Sequence, residues 1–322
     1  MRKLVSAAAA LCTFAVSASF SMAQEVKVDP KLPDYSMAQG VSGNIKSIGS
    51  DTMNNVMTHW TELFTKFYPS VKIEVEGKGS STAPPALIEG QSQFGPMSRE
   101  MKKDEVDKFE AKYGYKPTNI RVAIDCLAVY VNKDCPLDEI TFEQIQKIFS
   151  VTGPDMTWDQ IGVKDAAYAG KPISLYGRNS ASGTYGYFKE HALSKKDFKA
   201  SVKEQPGSSA VVQGIADDKF GMGYSGIGYK TAGVKALKVA NAGKAIAPSV
   251  ETAYSGEYPL GRYLLMYLNY DAKTGLDPLR AQFVTLMFSR PGQESIVKDG
   301  YIPVTADIAR EDLKKVGLKP TF

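Results

Sequence analysis

The stretch Gly177-Arg178-Asn179-Ser180-Ala181-Ser182-Gly183-Thr184 lies between two segments of opposite character. Ile173–Tyr176, ahead of it, is short and β-prone and reads as a strand; Tyr185–Ala192, behind it, reads as a helix. A helix start leaves free N–H groups and carries positive partial charge. An oxyanion is stabilised there without a counter-ion. Glycine lets the backbone come close to the anion, and Ser and Thr add donors. Arg178 adds a planar guanidinium that can grip two oxygens at once.

The same pattern, a strand end followed by Gly and hydroxyl residues opening a helix, is expected at Gly49-Ser50-Asp51-Thr52, at Gly79-Ser80-Ser81-Thr82 and at Met97-Ser98-Arg99. Any one of these alone is an ordinary helix cap. Four together, one holding an arginine, point to an anion site built from Ser50, Asp51, Thr52, Ser80, Ser81, Ser98, Arg178, Ser182, Gly183 and Thr184. Ser180 and Asp125 are expected behind these direct contacts. Asp51 has two readings. It caps its helix, or it accepts the proton of a protonated phosphate. Sulfate, fully ionised at neutral pH, has no proton to offer and is repelled by such a carboxylate, so the second reading selects phosphate. Asp125 sits in the apolar run Ile124-Asp125-Cys126-Leu127 and, if buried, needs a partner. Arg178 is the expected one, the alternative being an exposed strand end.

Outward from these loops, strands and helices alternate. Asn44–Ile48 and Val71–Glu76 read as strands. Asp51–Phe67 reads as a helix with Met53, Val56, Met57, Trp60, Phe64 and Phe67 on one stripe. Pro84 and Pro85 fit the first turn of a helix through Leu87 and Ile88. Met101–Tyr113 reads as another helix, and Thr141-Phe142-Glu143-Gln144 resembles a capping box. Met222–Ser225 reads as a strand and Pro278–Phe288 as a helix. The alternation predicts an α/β protein with mainly parallel sheets flanked by helices. Two long strands, Arg121–Val131 and Tyr263–Asn269, are natural crossovers. They divide the chain into lobe I (43–124 plus 258–322) and lobe II (125–257), behind a flexible leader at 24–42.

Residues 1–23 carry Arg2 and Lys3, an apolar run from Leu4 to Phe20, and the small-x-small end Ser21-Met22-Ala23. This is the pattern of a secretory signal peptide. Leu11 before Cys12 argues against a lipoprotein site, and no later run approaches the roughly 18 apolar residues of a membrane span. Losing Arg2 and Lys3 takes the formal charge from +4 to +2, which does not advertise nucleic-acid or membrane binding. Cys126 and Cys135 remain; a strand-like run between them disfavours a disulfide. No Cys/His cluster suggests a metal. A secreted phosphatase with Ser182 as nucleophile lacks a general base, since the two histidines, His59 and His191, lie outside the motifs. A surface adhesin would show no tight small-ligand binding.

At these motifs the chain resembles the substrate-binding protein of the Pst phosphate ABC transporter. The resemblance rests on Gly49-Ser50-Asp51-Thr52 before an amphipathic helix, Gly79-Ser80-Ser81, and Ser182-Gly183-Thr184 four residues after Arg178. It extends from about Val41 to Pro303 through Ala83-Pro84-Pro85-Ala86-Leu87, Gly95-Pro96-Met97-Ser98-Arg99, Gly223-Tyr224-Ser225-Gly226-Ile227-Gly228-Tyr229 and Asp299-Gly300-Tyr301-Ile302-Pro303. It implies a two-lobed periplasmic-binding-protein fold of the twice-crossing type (type II), with inorganic phosphate in the cleft. It further implies delivery to an inner-membrane ABC permease, a periplasmic monomer, no catalysis, no cofactor and no nucleic acid. Sulfate or molybdate is the rival ligand. The family pattern places anion contacts on Ser80 and Arg178, a backbone-and-hydroxyl cradle on Ser182, Gly183 and Thr184, and the first loop on Asp51 and Thr52. Better-known members carry an aspartate, the phosphate-proton acceptor, where this chain has Ser98. Asp51 is the nearest substitute.

Overall fold

The computed structural model describes residues 26–241 and 243–322. The signal-peptide reading of residues 1–23 lies outside the described residues. The strands are β1 (Asn44–Ile48), β2 (Lys72–Glu76), β3 (Phe94–Met97), β4 (Thr118–Asn132), β5 (Glu139–Thr141), β6 (Ser174–Arg178), β7 (Lys203–Gln205), β8 (Gly221–Gly226), β9 (Val234–Ala236), β10 (Lys238–Asn241), β11 (Lys244–Ile246) and β12 (Gly261–Leu268). The helices are α1 (Asn54–Phe67), α2 (Ala83–Ile88), α3 (Lys103–Tyr113), α4 (Phe142–Phe149), α5 (Gly183–His191), α6 (Ser208–Asp217), α7 (Val250–Tyr254), α8 (Pro278–Met287), α9 (Arg290–Lys298) and α10 (Ala306–Lys315).

The main sheet runs β2-β1-β3-β12-β4-β8-β6-β7, with β9 also on β4. Its two flanks are parallel: β1 pairs with β2 and β3, and β6 with β7 and β8. The crossover strands enter antiparallel. Thr118–Cys126 of β4 lies against β12, whereas Leu127–Val131 lies against β8. One strand therefore serves both halves, because it is apolar on both faces and long enough to be buried from Ala123 to Asn132. The two largest of four hydrophobic clusters among the described residues follow the division. One holds Trp60, Phe64, Phe94, Ala123, Leu264 and Phe283; the other holds Ile124, Leu127, Phe149, Trp158, Phe188 and Tyr224. The change from one core to the other falls between Ala123 and Ile124. The architecture is the two-lobed periplasmic-binding-protein fold.

Local chemistry sets the elements. The apolar stripe of α1 buries Val56, Met57, Trp60 and Phe64, and the Trp60 indole donates to Gly292 O at 2.8 Å. Thr141 and Gln144 complete the expected capping box of α4. The segment expected to be a loose leader is instead docked on the first core. Leu32 is buried there, the Asp29 carboxylate accepts from Ala306 N at the start of α10 (2.9 Å), and Arg290 N donates to Pro33 O at 2.7 Å. Tyr35 adds a hydrogen bond to Gln282 Oε1 at 2.9 Å, so buried leucine, anchored carboxylate and tyrosine together order a polar, Pro-rich stretch. Cys126 and Cys135 are both buried and unpaired with each other. Among the described residues no helix is long and apolar enough to cross a membrane.

Candidate functional site

Parallel strands end on the same side, and the loops at their carboxyl ends form the crevice where α/β folds place ligands. On one flank, β1 leads into Ser50–Thr52, β2 into Ser80, and β3 into Ser98. On the other, β6 leads into Arg178–Thr184 and β7 into Ser208. Both sets converge on the same crevice. Gly79 turns the chain at φ 121, a conformation that favours glycine, and a Cβ there would also meet Ala181 O at 2.5 Å. Gly183 is fixed by space: a Cβ would lie 2.2 Å from Ser80 Oγ and 2.6 Å from Ser98 Oγ.

The hydroxyls form two bonded groups, a serine trio and a threonine pair. Ser50 Oγ donates to Ser98 Oγ (3.1 Å), Ser98 N donates to Ser80 Oγ (3.0 Å), and Ser80 and Ser98 Oγ lie 3.3 Å apart. Thr52 and Thr184 Oγ1 meet at 2.8 Å across the crevice. Ser50, Thr52, Ser80, Ser98, Gly183 and Thr184 thus share one buried cluster. In such a dry setting hydrogen bonds to an anion are strong, because water does not compete.

Arg178 stands beside this cluster. Its Nη1 donates to Ser208 Oγ (2.7 Å), its Nη2 to Pro206 O (3.2 Å), and Nη2 also pairs with Asp51 Oδ2 at 3.1 Å. Its Nε is buried without a hydrogen-bond partner among the described residues. Burial lowers the pKa of the guanidinium, partly offset by the Asp51 charge. A buried cation with an unused donor favours an anionic ligand. Asp51 Oδ2 also accepts from Ser208 N (2.9 Å), so Asp51 reaches from one lobe to the other. Ser50 is the N-cap of the short helix that Asp51 opens, and its side chain makes no cap bond.

The remaining expected residues are placed differently. Ser182 is the N-cap of α5, its Oγ accepting from Thr184 N and Tyr185 N. Ser81 N donates to Ala181 O at 3.1 Å, while its hydroxyl accepts from Arg99 Nη2 at 3.3 Å. Ser180 is exposed on the rim. Two expectations are corrected. Ser98 follows a strand end but opens no helix, since α3 begins only at Lys103. Asp125 is buried as expected, but its partner is Arg262, not Arg178: Arg262 Nε and Nη2 both reach Asp125 Oδ2, at 3.0 and 2.7 Å. Strand register decides this, because Arg262 and Asp125 are opposed in the β12–β4 pairing. Arg178 is taken by Asp51 instead.

Arg262 and Ser208 were not foreseen. Ser208 carried a usable signal, since Pro206-Gly207-Ser208-Ser209 precedes the apolar Val211, Val212 and Ile215 in the pattern of the other loops. Arg262, directly before a β-rich run, carried none beyond being a charge at a strand end. Among the described residues no group of three or more His, Cys, Asp or Glu could hold a metal ion.

A family model described as a PBP superfamily domain matches residues 36–291. The phosphate-binding protein PstS of Pseudomonas aeruginosa is 48% identical over 317 residues, covering 96% of this chain and 98% of that protein. Among solved structures, a possible phosphate binding protein from Planctomyces limnophilus is 26% identical, with a TM-score of 0.64 over 86% of this chain and 99% of that one. A putative phosphate ABC transporter substrate-binding protein from Clostridium perfringens, solved with bound phosphate, has a TM-score of 0.68. It is 24% identical and covers 81% of this chain and 100% of that one.

Proposed function

This chain belongs to the PstS family of phosphate-binding proteins within the PBP superfamily, and we propose that it captures inorganic phosphate between its lobes and delivers it to an ABC permease. The observation that carries the reading is the convergence of two sets of strand ends on one buried hydroxyl cluster, with the Arg178 cation beside it. On binding, the hydroxyls exchange their mutual bonds for bonds to phosphate oxygens. Arg178 supplies charge and the donor Nε, and the Gly183 amide at the start of α5 supplies a backbone donor beside the Thr184 hydroxyl. Asp51, in contact with Arg178, is the carboxylate placed to take the phosphate proton. The Ser182 oxygen caps α5, and among the described residues it has no base as a hydrogen-bond partner, which supports a carrier over a catalyst. It works outside the cytoplasm, exported by residues 1–23, as a monomer.

The lobes, 43–124 plus 258–322 and 125–257, close on the anion. Neither alone holds a full set of contacts, so phosphate favours the closed form through bonds that only this form provides. Titration calorimetry is expected to give one phosphate per chain with sulfate far weaker, and Asp51→Asn to narrow that difference. Small-angle scattering is expected to show a smaller radius of gyration at saturating phosphate. Equal binding of the two anions removes the selectivity, and an unchanged scattering curve removes the closure.

A further inference from the structure

We propose that Arg262 is a positioning residue that latches the two lobes together and sets the donor direction of the Thr184 hydroxyl; the inference rests on the phosphate reading above. Arg262 comes from the crossover β12 and is held on three sides. Asp125 binds its Nε and Nη2, the Tyr187 ring faces the guanidinium at 5.2 Å, and Nη1 donates to Ser98 O at 2.7 Å. Asp125 is itself fixed, its Oδ1 accepting from Ile227 N at 3.0 Å. The fourth contact crosses the crevice: Nη2 donates to Thr184 Oγ1 at 2.9 Å. One planar group therefore joins the strand end of Ser98 on one lobe to the start of α5 on the other.

The direction of the protons follows from chemistry. Arginine has only donors, so Thr184 Oγ1 accepts from Arg262. Its own hydrogen is then left to donate forward, toward Thr52 Oγ1 at 2.8 Å or toward an anion that replaces it. Arg262 thus keeps Thr184 a donor, the role an oxyanion requires. Because its charge is matched by Asp125 in the same strand pair, Arg262 contributes geometry more than net charge. It also forms a wall. A cavity of about 660 Å³ borders the guanidinium, with Ser98, Arg121, Tyr187, His191 and Tyr263 among its other lining residues. Shortening residue 262 opens a path for water from that cavity to Thr184.

A double-mutant cycle on the full mature chain tests the latch, with inorganic phosphate as ligand. Arg262→Lys retains the charge and loses the fork. It is expected to weaken phosphate binding by roughly tenfold to a hundredfold, the range for a lost bond to a charged group. Stopped-flow measurement is expected to place most of the loss in faster dissociation. Thr184→Val alone should weaken binding, and Arg262→Lys on that background should add little, because its contact is already gone. Thr184→Ser, which keeps the hydroxyl, should retain the sensitivity to Arg262→Lys. Additive losses in the cycle, or wild-type dissociation from Arg262→Lys, overturn the latch. A wild-type chain that binds no phosphate overturns the functional reading itself, a separate result. Melting of the unliganded variants checks folding, and Arg262→Gln replaces the lysine variant if that one does not fold.

Discussion

Arg262–Asp125 and Arg178–Asp51 are both arginine–carboxylate pairs at the junction of the lobes, yet they are built in opposite ways. The first joins residues in register on two adjacent strands, with side chains 3% and 0% exposed. The second joins two loop residues that face each other across the crevice, and the Asp51 side chain is 22% exposed. A pair fixed by strand register does not depend on where the lobes stand. A pair drawn across the crevice does. The hinge pair is therefore a permanent part of the fold, and under the proposed closure the crevice pair belongs to the closed arrangement. A third carboxylate, Asp299, has neither kind of partner: its Oδ2 is buried without a hydrogen bond among the described residues.

The largest expected effect tests the permanent pair. Asp125→Ala leaves Arg262 buried without its counter-charge, which typically destabilises by about 3–5 kcal/mol. Thermal melts of the unliganded protein should show a clear drop; an unchanged melting temperature breaks the contrast. Next comes the crevice pair. Arg178→Ala should leave the melt of the unliganded protein close to wild type while weakening phosphate binding by about 2–5 kcal/mol in calorimetry. Lys at 178 should recover only part, since a point charge does not reproduce the fork. A fold lost together with binding would make both pairs structural.

The smallest effect concerns Asp299. Burial pushes its carboxyl up to about 7 from the ordinary 3.8, against a side-chain bond from Asn55 that lowers it. Between those values the folded state holds a proton that the unfolded state has lost. The group's contribution to stability is therefore full below about pH 4 and lost as pH rises through about 7. Asp299→Asn should be more stable than wild type at pH 8 by about 1 kcal/mol, a figure reduced for the group's partial contact with water. At pH 4 the two should match. Urea unfolding at both values measures the difference, and a parallel pH dependence in the variant excludes Asp299 as its source.

What could be read from the sequence was what is local. The loop Gly177–Thr184, the cap at Thr141 and the stripe of α1 depend on residues within a turn or two of each other. Strand order and register bring together residues far apart in the chain, and these were legible only in outline. Arg262 and Asp125 are 137 positions apart, and nothing local to either names the other. The same limit explains the misassigned partner of Asp125; Ser208 differs, since its loop carries the same local pattern as the other four. The limit also explains the leader: composition reads residues 24–42 as loose, whereas tertiary contacts of Asp29 with α10 and of Pro33 with α9 hold it.

Those leader contacts bear on the order in which the molecule is completed. The bond from Ala306 N to Asp29 spans 277 residues, and the core that receives Leu32 also needs Leu264, Phe283, Val304 and Leu313. A chain synthesised from its N-terminus has nearly all of the other core, Ile124 to Leu260, in hand before those partners exist. The half of the protein made first is thus finished last, and its opening segment is fastened only when the final helix arrives. A truncation that removes α10 accordingly shows its damage at the other end of the chain, around residue 32.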